Sequence, residues 1–434
     1  MSGGSFGTEA PSDRFEIREK LGAGGMGAVY RAFDYTRNIE VALKTLVEMD
    51  PRAIYRFKRE FRTLCDVVHP NLVTLYELHT VHDEWFFTME LIEGCSFTGW
   101  VRRCPHDTAN GGPEAMVTRT GVVDRTDDTM PTGVYRPAVT SERRRVIEGT
   151  VDAGRLHDAL VQLADGVYAL HRAGKLHRDL KPSNVLVDHS GHVVLLDFGL
   201  ASDIHDLDIE ATHGAGAVGT PVYMSPEQAA DAPLTPASDW YSVGVMLYEA
   251  LTGRRPLESH GKQIGTAKQV CDPPPPSTLA DNVPAALDAL CMQLLDRDPA
   301  QRPDGAAVLA ALGGKPSRAS IDMYAAGPAL DFVGRTVELE ALREGFAASR
   351  NESSVTFYIR SDSGMGKSAL VRRFLSELDG TDTVVLSGRC YERESVPYKA
   401  LDAAVDDLSR QLMHMPADAI EAIMPREITA LAKL

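Results

Sequence analysis

The stretch His177-Arg178-Asp179-Leu180-Lys181-Pro182-Ser183-Asn184 places a carboxylate, a lysine and an amide close together, and Asp197-Phe198-Gly199 adds a second carboxylate soon after. Attack of a hydroxyl on a phosphoryl group needs this set: a carboxylate beside the hydroxyl, a cation on the phosphate, and oxygen ligands for a divalent metal. A solvated loop would carry some of these residues, but not all of them at this spacing.

The surrounding pattern says how they are held. Val185 to Leu196 is an apolar run joined by a Ser190-Gly191 turn, the signature of a hairpin with polar groups at one mouth. Near the N-terminus, Leu21-Gly22-Ala23-Gly24-Gly25-Met26-Gly27-Ala28-Val29 is rich in small residues that let backbone N–H groups approach phosphate oxygens. The same glycine spacing serves dinucleotide folds, where a helix begins inside the motif. Here Val29 to Phe33 reads as a strand, so the glycines form a hairpin tip. Val41-Ala42-Leu43-Lys44 reads as a third strand. Tyr55 to Val68 reads as an amphipathic helix with Phe57, Phe61, Leu64 and Val68 on one face. It contains Glu60, whose local alternative is surface pairing with Arg56 or Arg59. His69-Pro70-Asn71 ends that helix, and strands are expected at Leu72 to Leu78 and Trp85 to Leu91. A helix is expected from Val151 to Ala173, stopped by Gly174. Residues 1–13, rich in small polar residues, are expected to be disordered. Residues from about 102 to 150 have little periodicity and read as an insertion in a surface loop. Its threonines at 118, 120, 126, 129 and 132 are candidate modification sites. Pro273 to Pro276 favours an extended segment.

Taken together, H-R-D-L-K-P-S-N, D-F-G, the glycine loop and V-A-L-K resemble the protein kinases, and in particular the eukaryotic-like Ser/Thr kinases of bacteria. The resemblance implies an α+β bilobal fold over residues 14–312, with a β-rich N-lobe and a helical C-lobe. It implies transfer of the γ-phosphoryl of Mg-ATP to protein Ser or Thr hydroxyls, with Mn2+ as a substitute metal. ATP would be bound by Leu21, Gly22, Ala23, Gly24, Gly25, Met26, Gly27, Val29, Ala42, Lys44, Met89, Glu90, Ile92 and Leu186. Of these, Met89 would gate the adenine pocket, and Glu90 and Ile92 would act through their backbone. Lys44 would hold phosphates and be held by Glu60. Asp179 would orient the acceptor hydroxyl and Lys181 neutralise the moving phosphoryl; lysine at that position implies Ser/Thr rather than Tyr acceptors. Asn184 and Asp197 would be the magnesium ligands. Leu64 and Leu75 would pack with His177 and Phe198, a stack that the family forms only when the Glu60 helix is drawn in. The span from Asp197 to Glu227 resembles an activation segment, with Ser225 in place of the usual alanine. Thr212 is its first candidate phosphosite and Arg178 the candidate acceptor of that phosphate; Thr220 would contact the substrate or Asp179. Asp239 would anchor the catalytic loop, and Arg302 would pair with Glu227.

A linker is expected at residues 313–330. From Phe332 a second domain begins, spanning 331–434. There Val355 to Ile359 reads as a strand running into Ser361-Asp362-Ser363-Gly364-Met365-Gly366-Lys367-Ser368. This resembles the phosphate loop of P-loop NTPases, with Ser361 replacing the first glycine, and the opening F-V-G-R string resembles AAA-type modules. Gly364, Gly366, Lys367 and Ser368 are the candidate second nucleotide site of this partial α/β domain. No apolar strand ending in a metal-ordering aspartate follows, so hydrolysis there is not expected.

The formal net charge of -16 argues against non-specific nucleic-acid binding and against an anionic membrane surface. Six cysteines without a C-x-x-C pair argue against structural zinc and for a reducing, cytoplasmic setting. Ser2 excludes N-myristoylation, and no apolar run approaches the ~18 residues of a membrane span. Protein substrates and self-phosphorylation are the expected partners. Two rivals compete with a kinase: an ATP-binding pseudokinase scaffold regulating the P-loop module, and a signalling ATPase regulated by the kinase domain. No residue required for phosphoryl transfer is missing, which favours the enzyme.

Overall fold

The computed structural model describes residues 13–24, 27–46, 51–65, 67–81, 84–103, 150–197, 202–203, 221–257, 262–322, 334–350, 354–361, 366–378, 383–386, 388, 393–395, 399–413 and 420. The expected insertion and disordered N-terminus, together with Gly25, Met26, Phe198, Thr212, Thr220 and Gly364, lie outside or almost wholly outside them. The chain divides into two compact units, Met1–Ala325 with Tyr391–Val396, and Ala326–Cys390 with Pro397–Leu434.

The first unit opens with strands β1 (Phe15–Gly24), β2 (Gly27–Asp34) and β3 (Ile39–Leu46), then helix α1 (Pro51–Leu64) and strands β4 (Leu75–Val81) and β5 (Glu84–Glu90). The strands form one antiparallel sheet in the order β1-β2-β3-β5-β4. Its period-two pattern buries Phe15, Ala32, Val41, Leu43 and Phe86 on one face. The other face packs on α1 through Phe57 and Phe61, which lie against Phe87. Helix α1 ends four residues before the sequence suggested, and Val68 is 69% exposed rather than part of the apolar face. In the turn beyond it, His69 Nδ1 accepts the Asn71 N–H at 3.1 Å.

The helical part follows: β6 (Gly94–Ser96), α2 (Phe97–Val101), β7 (Arg102–Arg103), β8 (Thr150–Val151), α3 (Ala153–Arg172) and β9 (Lys175–Leu176). Next come β10 (Val185–Asp188), β11 (Val193–Leu195), β12 (Ser202–Asp203), α4 (Pro226–Ala229), α5 (Pro236–Thr252), α6 (Lys262–Val270), α7 (Ala285–Leu294), α8 (Gly305–Ala311) and α9 (Arg318–Asp322). Helix α3 starts where Asp152 accepts the N–H groups of Gly154 and Arg155, and Gly174, at φ +73°, turns the chain after it. Helix α5 is buried almost all round; Pro236 opens it and left-handed Gly253 closes it. Helices α2, α3, α5, α7 and α8 share one continuous core with α1, β10 and β11, including Trp240, Tyr248, Leu163, Val187 and Leu195.

Two features differ from the sequence reading. Part of the expected linker is docked: in α9, Ser320 Oγ donates to Asp165 Oδ1 at 2.7 Å and lies 3.0 Å from His69 Nε2, all three side chains being buried. In addition, Glu394–Ser395 (β13), from within the stretch assigned to the second domain, pairs in parallel with β4. Its Glu394 takes Arg62 of α1 at 2.6 and 3.1 Å, and Arg393 donates to the carbonyls of Cys65 and Leu75.

The second unit contains helices α10 (Thr336–Ser349), α11 (Lys367–Ser376) and α12 (Lys399–Met413), numbered on from α9. Leu339, Leu342 and Leu370 form its small core. The strand expected at Val355 to Ile359 has no sheet partner among the described residues, and Tyr358 is 93% exposed. An isolated extended segment has unpaired ladder groups, so periodicity alone did not make it a strand. Among the described residues no helix is long and apolar enough to cross a membrane.

Candidate active site

The β10–β11 hairpin pairs Val185 with Leu195 and Leu186 with Val194. It thereby brings Asn184 and Asp197 to one mouth, as the hairpin reading expected. The loop before it is held from below. Asp239, buried at the start of α5, accepts the backbone N–H groups of His177 and Arg178 at 2.8 Å each and lies 2.8 Å from His171 Nε2. Burial opposes ionisation of Asp239, but His171 and these donors hold its carboxyl below the usual range. The anchor tolerates Arg178 at φ +65°, and Asp197 sits at φ +57°. Left-handed backbone at non-glycine residues costs of order 1–3 kcal/mol each and persists where surroundings over-determine it. His177, fully buried, is pushed down by desolvation and so is neutral. Its Nε2 lies 3.1 Å from the Leu196 carbonyl, tying the loop to the hairpin.

Above the mouth, β2 and β3 pair Val29 with Lys44, which places Lys44 under the glycine hairpin. Gly27 is required there, since a Cβ would lie 1.8 Å from the Thr45 carbonyl oxygen. Lys44 Nζ lies 2.6 Å from Glu60 Oε1 and 2.5 Å from Asp197 Oδ1. Glu60 therefore faces the cleft, and its surface alternative with Arg56 or Arg59 is not the arrangement formed. Burial would depress Lys44, yet Asp197 and Glu60 hold it well above the ordinary lysine range. Lys44 in turn pulls Asp197 down. Glu60 is pushed up to about 7, first by burial and then by Asp197, against the pull of Lys44.

On the floor, Lys181 Nζ is 2.6 Å from Asp179 Oδ2, and Asn184 Nδ2 donates to the Asp179 carbonyl at 2.9 Å and to Oδ2 at 3.2 Å. With its amide N–H groups so used, Asn184 can offer to a hard cation its oxygen, which accepts a long 3.4 Å bond from Ser183 Oγ. Asp197, 48% exposed in its side chain, supplies a carboxylate. One amide and one carboxylate fit magnesium, which takes few protein ligands beside phosphates and water. The remaining expected nucleotide residues lie around the same sheet. Ala42 pairs with Met89, Leu186 rises from β10, Leu21 to Gly24 end β1, and the Glu90 N–H goes to the Thr74 carbonyl just before Ile92. Leu64 and Leu75 belong to one core and His177 is buried, but Phe198, the other member of the expected stack, lies outside the described residues.

The sequence did not single out the buried His69–Asp165–Ser320 cluster, the Arg62–Glu394 pair or Lys268, which takes three backbone carbonyls near residue 221. None has a local motif, because each joins positions far apart in the chain. In the second unit, Gly366 at φ +78° precedes α11, and Lys367 Nζ reaches back to the Ser361 carbonyl at 2.7 Å. Ser368 lies in the first turn of that helix.

The sheet lies over a helical lobe, and paired lysines and carboxylates meet in the cleft between them. Residues 15–312 match the family described as protein tyrosine and serine/threonine kinase, and the chain belongs to that family. Residues 331–433 match the AAA ATPase domain, marking a P-loop NTPase segment. Among curated relatives, serine/threonine-protein kinase Pkn1 of Myxococcus xanthus is 31% identical over 66% of this chain and 36% of its own length. PrkC of Bacillus subtilis is 29% identical over 67% of this chain and 38% of its own. PknL of Mycobacterium tuberculosis is 31% identical over 67% and 62%. The chain thus spans between about a third and two thirds of the length of these relatives.

Proposed function

We propose that this chain is a Ser/Thr protein kinase that transfers the γ-phosphoryl of Mg-ATP to protein hydroxyls, its own activation segment included. The observation that carries the reading is the Lys44 ammonium shared between Glu60 and Asp197, opposite the Asp179–Lys181 pair. In the proposed reaction the bond from the γ-phosphorus to the bridging oxygen of ADP breaks and a bond to the acceptor oxygen forms. Asp179 orients the acceptor hydroxyl and takes its proton late in a loose transition state. Lys181 balances charge on the transferred group, and Lys44 positions the phosphates. Asn184 and Asp197 would hold magnesium, which when bound supplies charge neutralisation across the phosphates. Rates come from positioning and preorganised charge rather than covalent chemistry by the protein. The adenine contacts by Met89, Glu90 and Ile92, the roles of Thr212, Thr220 and Arg178, nucleotide binding at Gly364 to Ser368 and a cytoplasmic setting belong to the same proposal. So do the domain limits 14–312 and 331–434.

The test is phosphate transfer to a generic basic protein by wild type, Asp179→Asn and Lys44→Met. Each variant is expected to lose about 100-fold or more in rate. A wild type that binds ATP yet is as silent as both variants would establish the pseudokinase scaffold instead.

A further inference from the structure

Helix α6 carries a lysine that has no part in the cleft. Lys268 is 2% exposed. Its ammonium donates to the carbonyls of Pro221 at 2.9 Å, Val222 at 2.6 Å and Met224. The next residue, Gln269, donates from Nε2 to the Pro226 carbonyl at 2.5 Å. From α5, Ser242 Oγ donates to the Tyr223 carbonyl at 2.8 Å. Every carbonyl from 221 to 224, and that of 226, therefore accepts from a side chain. Residues 221–224 belong to no helix or strand. Side-chain donors here replace the backbone partners that regular structure would provide, and Lys268 alone provides three of them.

Such a site is costly to maintain. Burial pushes the Lys268 ammonium down to about 7, with the Glu227 carboxylate acting against this. The Tyr241 ring lies 5.4 Å from its Nζ, and Arg302 sits over the same ring. Among the described residues Lys268 forms no ion pair. An apolar side chain would serve stability better than a buried cation without a carboxylate partner. What the cation supplies is a set of converging donors that fixes an irregular backbone.

That backbone leads directly to the catalytic loop. Ser225 caps α4, and Gln228 Nε2 of that helix donates to the Arg178 carbonyl at 2.7 Å, one residue before Asp179. We infer that Lys268 is a positioning residue for the protein acceptor: by clamping residues 221–224 it sets the platform that lays the peptide around the acceptor hydroxyl against Asp179. It does so without touching nucleotide. The inference rests on the kinase reading and adds to it a residue that governs acceptor binding alone.

The test is steady-state kinetics of the full chain with Mg-ATP and histone as acceptor, comparing wild type with Lys268→Met, Lys268→Gln and Lys268→Arg. Lys268→Met is expected to raise the histone KM by about 10- to 100-fold, as small misplacements do. The ATP KM should stay within about twofold, the split that marks loss of acceptor binding rather than of nucleotide binding. Lys268→Gln, which keeps two N–H donors, should lie between, and Lys268→Arg should recover most of the loss. If Lys268→Met fails to fold, the Gln and Arg variants decide. An unchanged histone KM in Lys268→Gln overturns the inference, as do parallel losses in ATP and histone KM that Arg does not repair. A wild type that transfers no phosphate would sink the kinase reading and this inference together. Normal wild-type transfer with unaltered Lys268 variants sinks only the inference.

Discussion

Glu227 and Glu60 are both buried and paired with cations, and they are built on different principles. Glu227 is closed on both oxygens: Arg302 donates to them at 2.7 and 2.9 Å and Ser238 Oγ donates at 2.7 Å. Arg302 spends its other donors on the carbonyls of Asp296, Ala237 and Arg297. Although burial opposes ionisation, Arg302 holds Glu227 below the usual carboxylate range. Glu60 has only Lys44, and shares it with Asp197, so its carboxyl is pushed up to about 7. A fully matched pair fixes the base of the helical lobe. An under-neutralised one leaves a cation and two carboxylates able to exchange partners with an incoming charged ligand, which is what a site for a metal-bound phosphate requires.

The contrast can be broken by mutation. Arg302→Ala strands a buried carboxylate and should cost about 3–5 kcal/mol, read as a large fall in the melting temperature. A fall equivalent to less than about 1 kcal/mol would make the Glu227 pair as loose as a surface one. Lys44→Met should lower melting much less, because Glu60, already raised by burial, can take up a proton once its cation is gone. Its phosphoryl-transfer rate should nonetheless drop by about 100- to 1,000-fold. Equal thermal losses in the two variants would erase the distinction.

The pH dependence sharpens it. Glu227, depressed in the fold, adds stability that is present above its ordinary value of 4.5 and lost as pH falls. Glu60, raised in the fold, binds its proton more tightly when folded, so stability falls as pH rises from 4.5 to about 7. Melting curves from pH 3 to 8 should therefore lose a downward slope between pH 4.5 and 7 in Glu60→Gln, whereas Glu227→Gln should lose an upward one below pH 4.5. Slopes of the same sign would contradict the contrast. The smallest effect is expected at Asp165. Burial opposes its ionisation, but the His69 and Ser320 partners depress it to about 2. Its contribution is full above pH 4 and fades toward pH 2. Asp165→Asn should cost on the order of 1 kcal/mol at neutral pH, since the amide keeps an oxygen for the Ser320 hydroxyl. No change in melting would show that α9 is not held by this cluster.

Much of the fold was legible because it depends on local period and punctuation. The β10–β11 hairpin and the Gly174 stop fall within a residue or two of their expected positions. Helix α1 stops at Leu64, short of the expected Val68, which is exposed and gives the apolar face nothing to extend onto. The strand expected at Val355 to Ile359 shows another kind of error, since an apolar run gives a strand only where a neighbour completes the ladder.

By itself, the sequence determined the chemical inventory: Lys44, Glu60, Asp179, Lys181, Asn184 and Asp197, each carried by a motif whose spacing follows from the strand, turn or loop that bears it. Tertiary structure alone decided which cation each carboxylate meets. It set Glu60 against Lys44 rather than a neighbouring arginine, brought Glu394 to Arg62, and turned Lys268 onto the carbonyls near residue 221. Those choices are made by burial. Once water is excluded, a charged or polar group must find its partner wherever packing has placed one, and separation along the chain has no bearing on that.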